Sequence, residues 1–295
     1  MNTTVSKLTR QQFVLDTYSR YHRREYLFPD PLEVVWEYGD PCDREIAALV
    51  CSSLALGRVN AILDACRHVL GAFSPLKREI TSLSKREISQ RLGDFVYRFF
   101  GNEELTNFLW GIGRVVSWHG SLEACFAQSR PNRGARLDGL APRRPVDAKR
   151  WDTRKASEAT WAAAAGFSRE LSVASGGRLS ILLPMVDRGG ASKRLNLFLR
   201  WVVREDEIDP GGWSCLKPWE LSVPVDTHLL KAARLLGMTT RKTADRRASE
   251  EITEWLSHLR PEDPTAFDFS LTRYGIHPVL RREGTLDSAL ADLRY

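Results

Sequence analysis

Residues 182–238 read LLPMVDRGGASKRLNLFLRWVVREDEIDPGGWSCLKPWELSVPVDTHLLKAARLLGM, and two short helices are written there. The first begins after Gly189-Gly190, with Ser192 in the cap position and Lys193 in the opening turn. Leu195, Phe198, Leu199 and Val202 recur at helical spacing and give it one buried face. The second begins at Asp226, after Pro224, where a carboxylate caps free N–H groups. Leu229, Leu230, Ala233 and Leu236 form its apolar face, and Gly237 stops it by taking the left-handed conformation cheaply. Each helix opens on a residue able to do chemistry. A lysine is unfavourable at a helix start, where the macrodipole is positive. The same position, with N–H groups pointing outward, is a natural phosphate site.

The flanking sequence is read in the same way. Phe13, Val14, Tyr18 and Tyr21 share one helical face, and PDPLEVVWEYGDP (29–41) reads as a connection with one short helix. Asp40, Pro41 and Asp43 open a helix that carries Ile46, Leu49, Val50 and Leu54 up to Gly57. Further helices are predicted over 59–73, where Pro75 ends the region, over 85–100, over 103–118, and briefly to Phe126. After an insertion at 131–154, residues 157–174 are again helical, and 176–184 connect them to the central stretch. Ala244, Ala248, Ile252, Leu256 and Leu259 mark another helix. Asp263-Pro264 opens the last, with Phe267, Leu271 and Tyr274 inward and Gly275 closing it. No segment alternates with period two and no fixed-period repeat is present, so an all-α fold is expected.

The 295 residues suffice for one large domain or two lobes. No run approaches the roughly 18 apolar residues of a membrane helix. The opening MNTTVSKLTRQQF lacks the apolar core of a signal peptide. The cysteines number five and include no CxxC pair, which suits a reduced cytoplasmic protein without a zinc or iron–sulfur site. The net charge is +6. Nine basic residues between Arg130 and Lys155 face three aspartates, so that stretch alone carries the excess. It reads either as a solvated insertion or as a loop that grips a nucleic-acid backbone.

Three readings compete for the central stretch. A phosphate-binding P-loop needs GxxxxGK[ST] after a strand. MVDRGGASKR has the lysine but neither the strand nor a glycine directly before it, which excludes that motif. A structural reading makes Asp226 a helix cap and Lys193 a surface residue. The third treats the two as a pair. SKRLNLFLRW, followed after a linker by VPVDTHLLKAARLLGM, resembles the helix-hairpin-helix DNA glycosylases, in which K-x-x-N opens one helix and V-D-T-H the next. The matching residues are Lys193 with Asn196, and Val225, Asp226, Thr227 and His228. The long spacing between lysine and aspartate is similar to that of the archaeal 8-oxoguanine DNA glycosylases. Over most of its length the chain also resembles a bacterial family of unknown function with nearly the same KRLNLFLRW and DTH strings. Within the wider superfamily the specific match covers about 182–238. The usual hairpin, L-P-G-V-G, is replaced here by Leu183-Pro184 and then MVDRGGAS, with the glycines displaced to Gly189 and Gly190. The four-cysteine cluster of some members is absent, since no cysteine follows Cys215.

The resemblance implies a two-lobed helical architecture around a central cleft. One lobe is a helical barrel over 43–204 with the hairpin-like turn and the insertion; 1–42 and 205–295 form the second. It implies a monomeric base-excision glycosylase with abasic-site lyase activity on double-stranded DNA carrying a damaged base, an oxidised purine such as 8-oxoguanine being favoured. It implies no cofactor, no metal and no membrane partner, and a cytoplasmic, nucleoid-associated location. Lys193 is then the nucleophile and Asp226 its electrostatic and acid/base partner. Arg188, Gly189, Gly190, Ser192, Arg194 and Arg58 are the expected DNA contacts, and Asn60 and Arg98 are further candidates to line the cleft. Trp213, Trp219 and His228 are base-pocket candidates, the tryptophans as stacking platforms or wedges. A free lysine has a pKa of about 10.4. A helix start offers at most about 2 kcal/mol toward neutralising it. Burial and cationic neighbours such as Arg188 or Arg194 are expected to supply the rest. The rival readings are a non-catalytic DNA-binding protein on the same scaffold and a helical protein–protein module.

Overall fold

The computed structural model describes residues 7–131, 153–177, 182, 183, 186, 190–278 and 280. Among the described residues thirteen α-helices and no strand are formed, so the fold is all-α. They are α1 (Lys7–Tyr21), α2 (Leu32–Val35), α3 (Pro41–Leu54), α4 (Val59–Gly71), α5 (Leu76–Ser82), α6 (Lys85–Leu92) and α7 (Asn102–His119). The chain continues with α8 (Leu122–Gln128), α9 (Thr153–Ala174), α10 (Lys193–Val203), α11 (Thr227–Leu235), α12 (Arg246–Ser257) and α13 (Asp268–Ile276). Among these residues no helix is long and apolar enough to cross a membrane.

Carboxylates placed at helix starts account for much of this order, because they satisfy N–H groups that have no partner within the helix. Asp40 accepts from the N–H groups of Cys42 and Asp43 at 2.9 and 3.0 Å and opens α3 with Pro41 in its first turn. From within α3, Asp43 accepts from Leu76 N and Lys77 N at 3.1 and 2.7 Å and so caps α5. Glu45, also on α3, does the same for α8 through Leu122 N and Glu123 N at 2.8 and 3.1 Å. Gly237, at φ +69°, ends the α11 turn as expected, with Met238 N donating to the Ala233 carbonyl at 2.8 Å.

Three expected elements change. The helix expected over 85–100 stops at Leu92, because Gly93 takes φ +57° there. The chain then makes a tight turn in which Tyr97 and Phe100 exchange backbone hydrogen bonds at 2.8 and 2.9 Å. The region expected to end at Pro75 instead continues into α5, for which Pro75 occupies the N-cap position. Gly275 does not close α13 but lies inside it.

The buried residues form two clusters. The larger gathers α2 to α10 with Ile208, Trp213, Leu216 and Leu221, and reaches Phe269 on α13. The smaller joins Phe13 and Val14 of α1 to α11, α12, Phe267 and Leu271. The larger cluster begins at Leu27 and, Phe269 aside, runs to Leu221; the smaller takes Phe13 and Val14 and then runs from Val223 to Leu271.

A buried charge network ties α10 to the second group. Arg200 donates to Asp209 at 3.1 and 2.8 Å and to Asp268, at the start of α13, at 2.7 Å. Arg204 pairs with Asp209, with Asp263 at 2.9 Å and with Asp206 at 2.6 Å. Asp206 also meets His22 at 2.9 Å. Breaking one partner of such a pair strands a buried charge, at a cost of about 3–5 kcal/mol. The network therefore fixes the rotation of α10, whose first residue is Lys193.

Candidate active site

Lys193 and Asp226 come from helices anchored in different clusters, α10 through Leu195, Phe198 and Leu199, α11 through Leu229, Leu230 and Ala233. Their starts converge. Lys193 Nζ stands 3.3 Å from Asp226 Oδ2. The other oxygen, Oδ1, accepts from Leu229 N at 2.8 Å and caps α11. Both side chains remain partly open, at 35% and 17% exposure, and both line one cleft of about 1250 Å³. That volume exceeds the several hundred Å³ of an ordinary small-molecule pocket.

Ser192 sets the entry of α10. It sits at the N-cap position as expected, but its side chain makes no capping hydrogen bond, because the residue is left-handed at φ +43°, ψ +40°. For a residue with a Cβ that conformation costs about 1–2 kcal/mol. It persists because its carbonyl accepts from Leu195 N and Asn196 N at 2.9 and 3.0 Å. The buried Asn196 amide also reaches back to the Ala191 carbonyl at 3.0 Å. The K-x-x-N spacing therefore has a local mechanical meaning: Asn196 braces the strained turn that presents Lys193.

The remaining expected contacts are distributed unevenly. Gly190, Ser192, Arg194, Arg58, Asn60 and His228 all line the cleft. Gly190 is exposed and bridges to Asp245. Arg58 is exposed on the rim at the start of α4. Arg194 directs one guanidinium nitrogen to the Ser53 carbonyl at 2.8 Å, and burial pushes it below the ordinary arginine value. His228 is exposed beside Asp226, its ring lying against Gly275, where a Cβ would collide with Nδ1. Arg188 and Gly189 lie outside the described residues, as does nearly all of the insertion at 131–154. Arg130, just before it, is engaged by the Cys215 carbonyl and by Glu220.

Both tryptophans are corrected. Neither lines the cleft. Trp213 is buried among Phe126, Phe167 and Phe198, and its indole N–H donates to Glu45 at 2.9 Å. Its ring, which needs an acceptor for one polar edge, finds it in the core rather than at the surface. Trp219 is half-buried on a 3-10 turn, Pro218–Glu220. Arg98 lies beside the cleft's edge rather than in its lining.

One part of the lining was not anticipated. It is built from Pro29, Asp30 and Pro31 and from Phe269, Arg273 and Ile276 of α13. The last three recur at steps of four and three, a second helical stripe beside the Phe267, Leu271 and Tyr274 face, and that spacing was the available signal. Arg273 is nearly fully buried and donates to Asp30 at 2.9 Å, which joins the two parts of the wall. On α10, Leu197 and Arg200 follow Lys193 at i+4 and i+7. The cleft-facing stripe of α10 thus runs about 10 Å along the helix axis.

Among the described residues no group of three or more His, Cys, Asp and Glu side chains is placed to hold a metal ion. The model of a family described as "protein of unknown function" (DUF2400) matches residues 30–277, and the chain belongs to that family. No curated protein and no solved structure matches the chain.

Proposed function

We propose that this member of the DUF2400 family is a base-excision DNA glycosylase with abasic-site lyase activity. Its substrate is double-stranded DNA carrying a damaged base, with an oxidised purine such as 8-oxoguanine favoured. The observation that carries the reading is the 3.3 Å approach of Lys193 Nζ to Asp226 Oδ2 in an open cleft. The protein works as a cytoplasmic, nucleoid-associated monomer, and lysine chemistry needs no cofactor.

Each group has a place in the reaction. Lys193 attacks as the free amine, its ammonium proton having passed to solvent, and Asp226 Oδ2 faces it as a carboxylate. The amine attacks C1′ as the N-glycosidic bond breaks, and the electron pair of that bond leaves with the base. Positive charge that develops on the sugar is stabilised by the neighbouring carboxylate. Opening of the sugar ring and loss of the amine proton give a Schiff base between Lys193 and C1′. Loss of a C2′ proton then expels the 3′ phosphate, and water releases the lysine. The target is inaccessible inside a duplex, so it enters the cleft as an extruded nucleotide.

Borohydride reduces a Schiff base to a stable amine, so trapping on duplexes with an abasic site or 8-oxoguanine tests the reading. A covalent adduct with the wild type, lost in Lys193→Gln, is expected. Salt-sensitive duplex binding without any adduct would assign the scaffold to non-catalytic DNA binding. Absence of duplex affinity even at low salt would leave only a protein–protein role.

A further inference from the structure

A nucleotide drawn out of a duplex leaves an unstacked gap, and proteins that hold such DNA insert an apolar side chain to fill it. With Trp213 and Trp219 placed elsewhere, that task needs a different residue. The turn after α6 offers one. Val96 and Phe99 are 68% and 67% exposed, among the highest values for large apolar side chains of the described residues.

The turn is held rigidly. Tyr97 and Phe100 close it through their reciprocal backbone bonds, and Phe100 is fully buried. Tyr97 Oη donates to the Leu56 carbonyl at 2.7 Å, in the segment between α3 and α4 whose next residues, Gly57 and Arg58, line the cleft. Arg98 at the tip has φ +56°, and its Nη1 lies 2.8 Å from where a Cβ on Gly57 would stand. Gly57 itself sits at φ +129°, a conformation that favours glycine. The Arg98 guanidinium, which lies against Gly57, is 5.8 Å from the centre of the Phe99 ring, so Phe99 stands beside the segment that lines the cleft. Arg58 and Arg98 set cations beside it, the charge complement of a phosphate backbone.

We propose that the turn 96–99 is a duplex-contacting surface, with Phe99 entering the gap left by the extruded nucleotide. This rests on the glycosylase reading above, and the experiment separates the two. Borohydride trapping is run with wild type, Phe99→Ala and Phe99→Leu on one abasic-site oligonucleotide, as a duplex and as a single strand. A single strand has no stack to fill. The Ala variant is expected to trap the single strand as fast as wild type and the duplex about tenfold more slowly, because the gap it leaves unfilled exists only in the duplex. The Leu variant, apolar and bulky, restores most of the duplex rate. Phe99 is solvent-exposed, so neither variant disturbs the core. An unchanged duplex-to-single-strand ratio in the Ala variant overturns the wedge and leaves the lyase intact. A wild type that traps neither substrate overturns both.

Discussion

Asp226 divides its oxygens between two tasks, and the tasks can be separated by substitution. Oδ1 caps α11 and Oδ2 faces Lys193. Asparagine caps as well as aspartate, whereas alanine loses the cap at a cost of about 1 kcal/mol. Asp226→Asn should therefore melt close to wild type yet trap abasic DNA about 10²-fold more slowly, while Asp226→Ala loses stability as well. Full trapping by the Asn variant would remove the carboxylate from the chemistry. Ser192→Gly should relieve left-handed strain of about 1–2 kcal/mol against a glycine entropy cost of about 0.5–1 kcal/mol. A small rise in melting temperature is expected, and a fall would show that the Ser192 side chain makes a compensating contact. Asp226 was legible in the sequence because a carboxylate marks a helix start through local chemistry; Lys193, unfavourable at such a start, was singled out by the K-x-x-N string instead. The place of Trp213 was not legible, because its partners Glu45, Phe126 and Phe167 lie far away in the chain.

At the scale of elements, α10 and its C-cap residue Arg204 carry the candidate nucleophile and the arginines that fix the helix's orientation. Asp209, fully buried between Arg200 and Arg204, is the keystone of that arrangement. Its replacement by alanine should lower stability by about 3–5 kcal/mol, read from the denaturant midpoint. Burial alone would raise the Asp206 carboxyl, but the His22 ring, the Arg204 guanidinium and the Asp209 backbone N–H outweigh it and hold it below the usual carboxylate range. A carboxyl lowered in the folded state contributes stability above its unfolded value of about 3.9, and that contribution is lost as pH falls below it. Asp206→Asn should accordingly flatten the loss of stability on acidification below pH of about 4, and an unchanged slope would contradict the assignment. Helix starts were readable where a cap is local, as at Asp40 and Asp226. The start of α5 was not, because Asp43 caps it from another helix. The end of α6 was misjudged because FVYRFF keeps an apolar pattern past Gly93; the glycine stop signal outweighs that pattern.

Across the whole molecule, the functional reading depends on two apolar clusters that bring distant starts of helices to one cleft. The all-α class followed from periodicity alone. The lining from residues 29–31 and α13 did not, since it joins segments more than two hundred positions apart, and no local pattern encodes that meeting. If duplex DNA is the partner, affinity should fall linearly on a logarithmic salt scale with a slope near −0.9 per phosphate contacted. Arg58→Ala should reduce that slope by about one without changing which lesion is preferred. The most direct measurement is peptide mapping by mass spectrometry after borohydride reduction of the wild type on an abasic-site duplex. The proposed chemistry predicts a reduced sugar remnant on the peptide that contains Lys193. A remnant on any other amine, or no remnant at all, would contradict it.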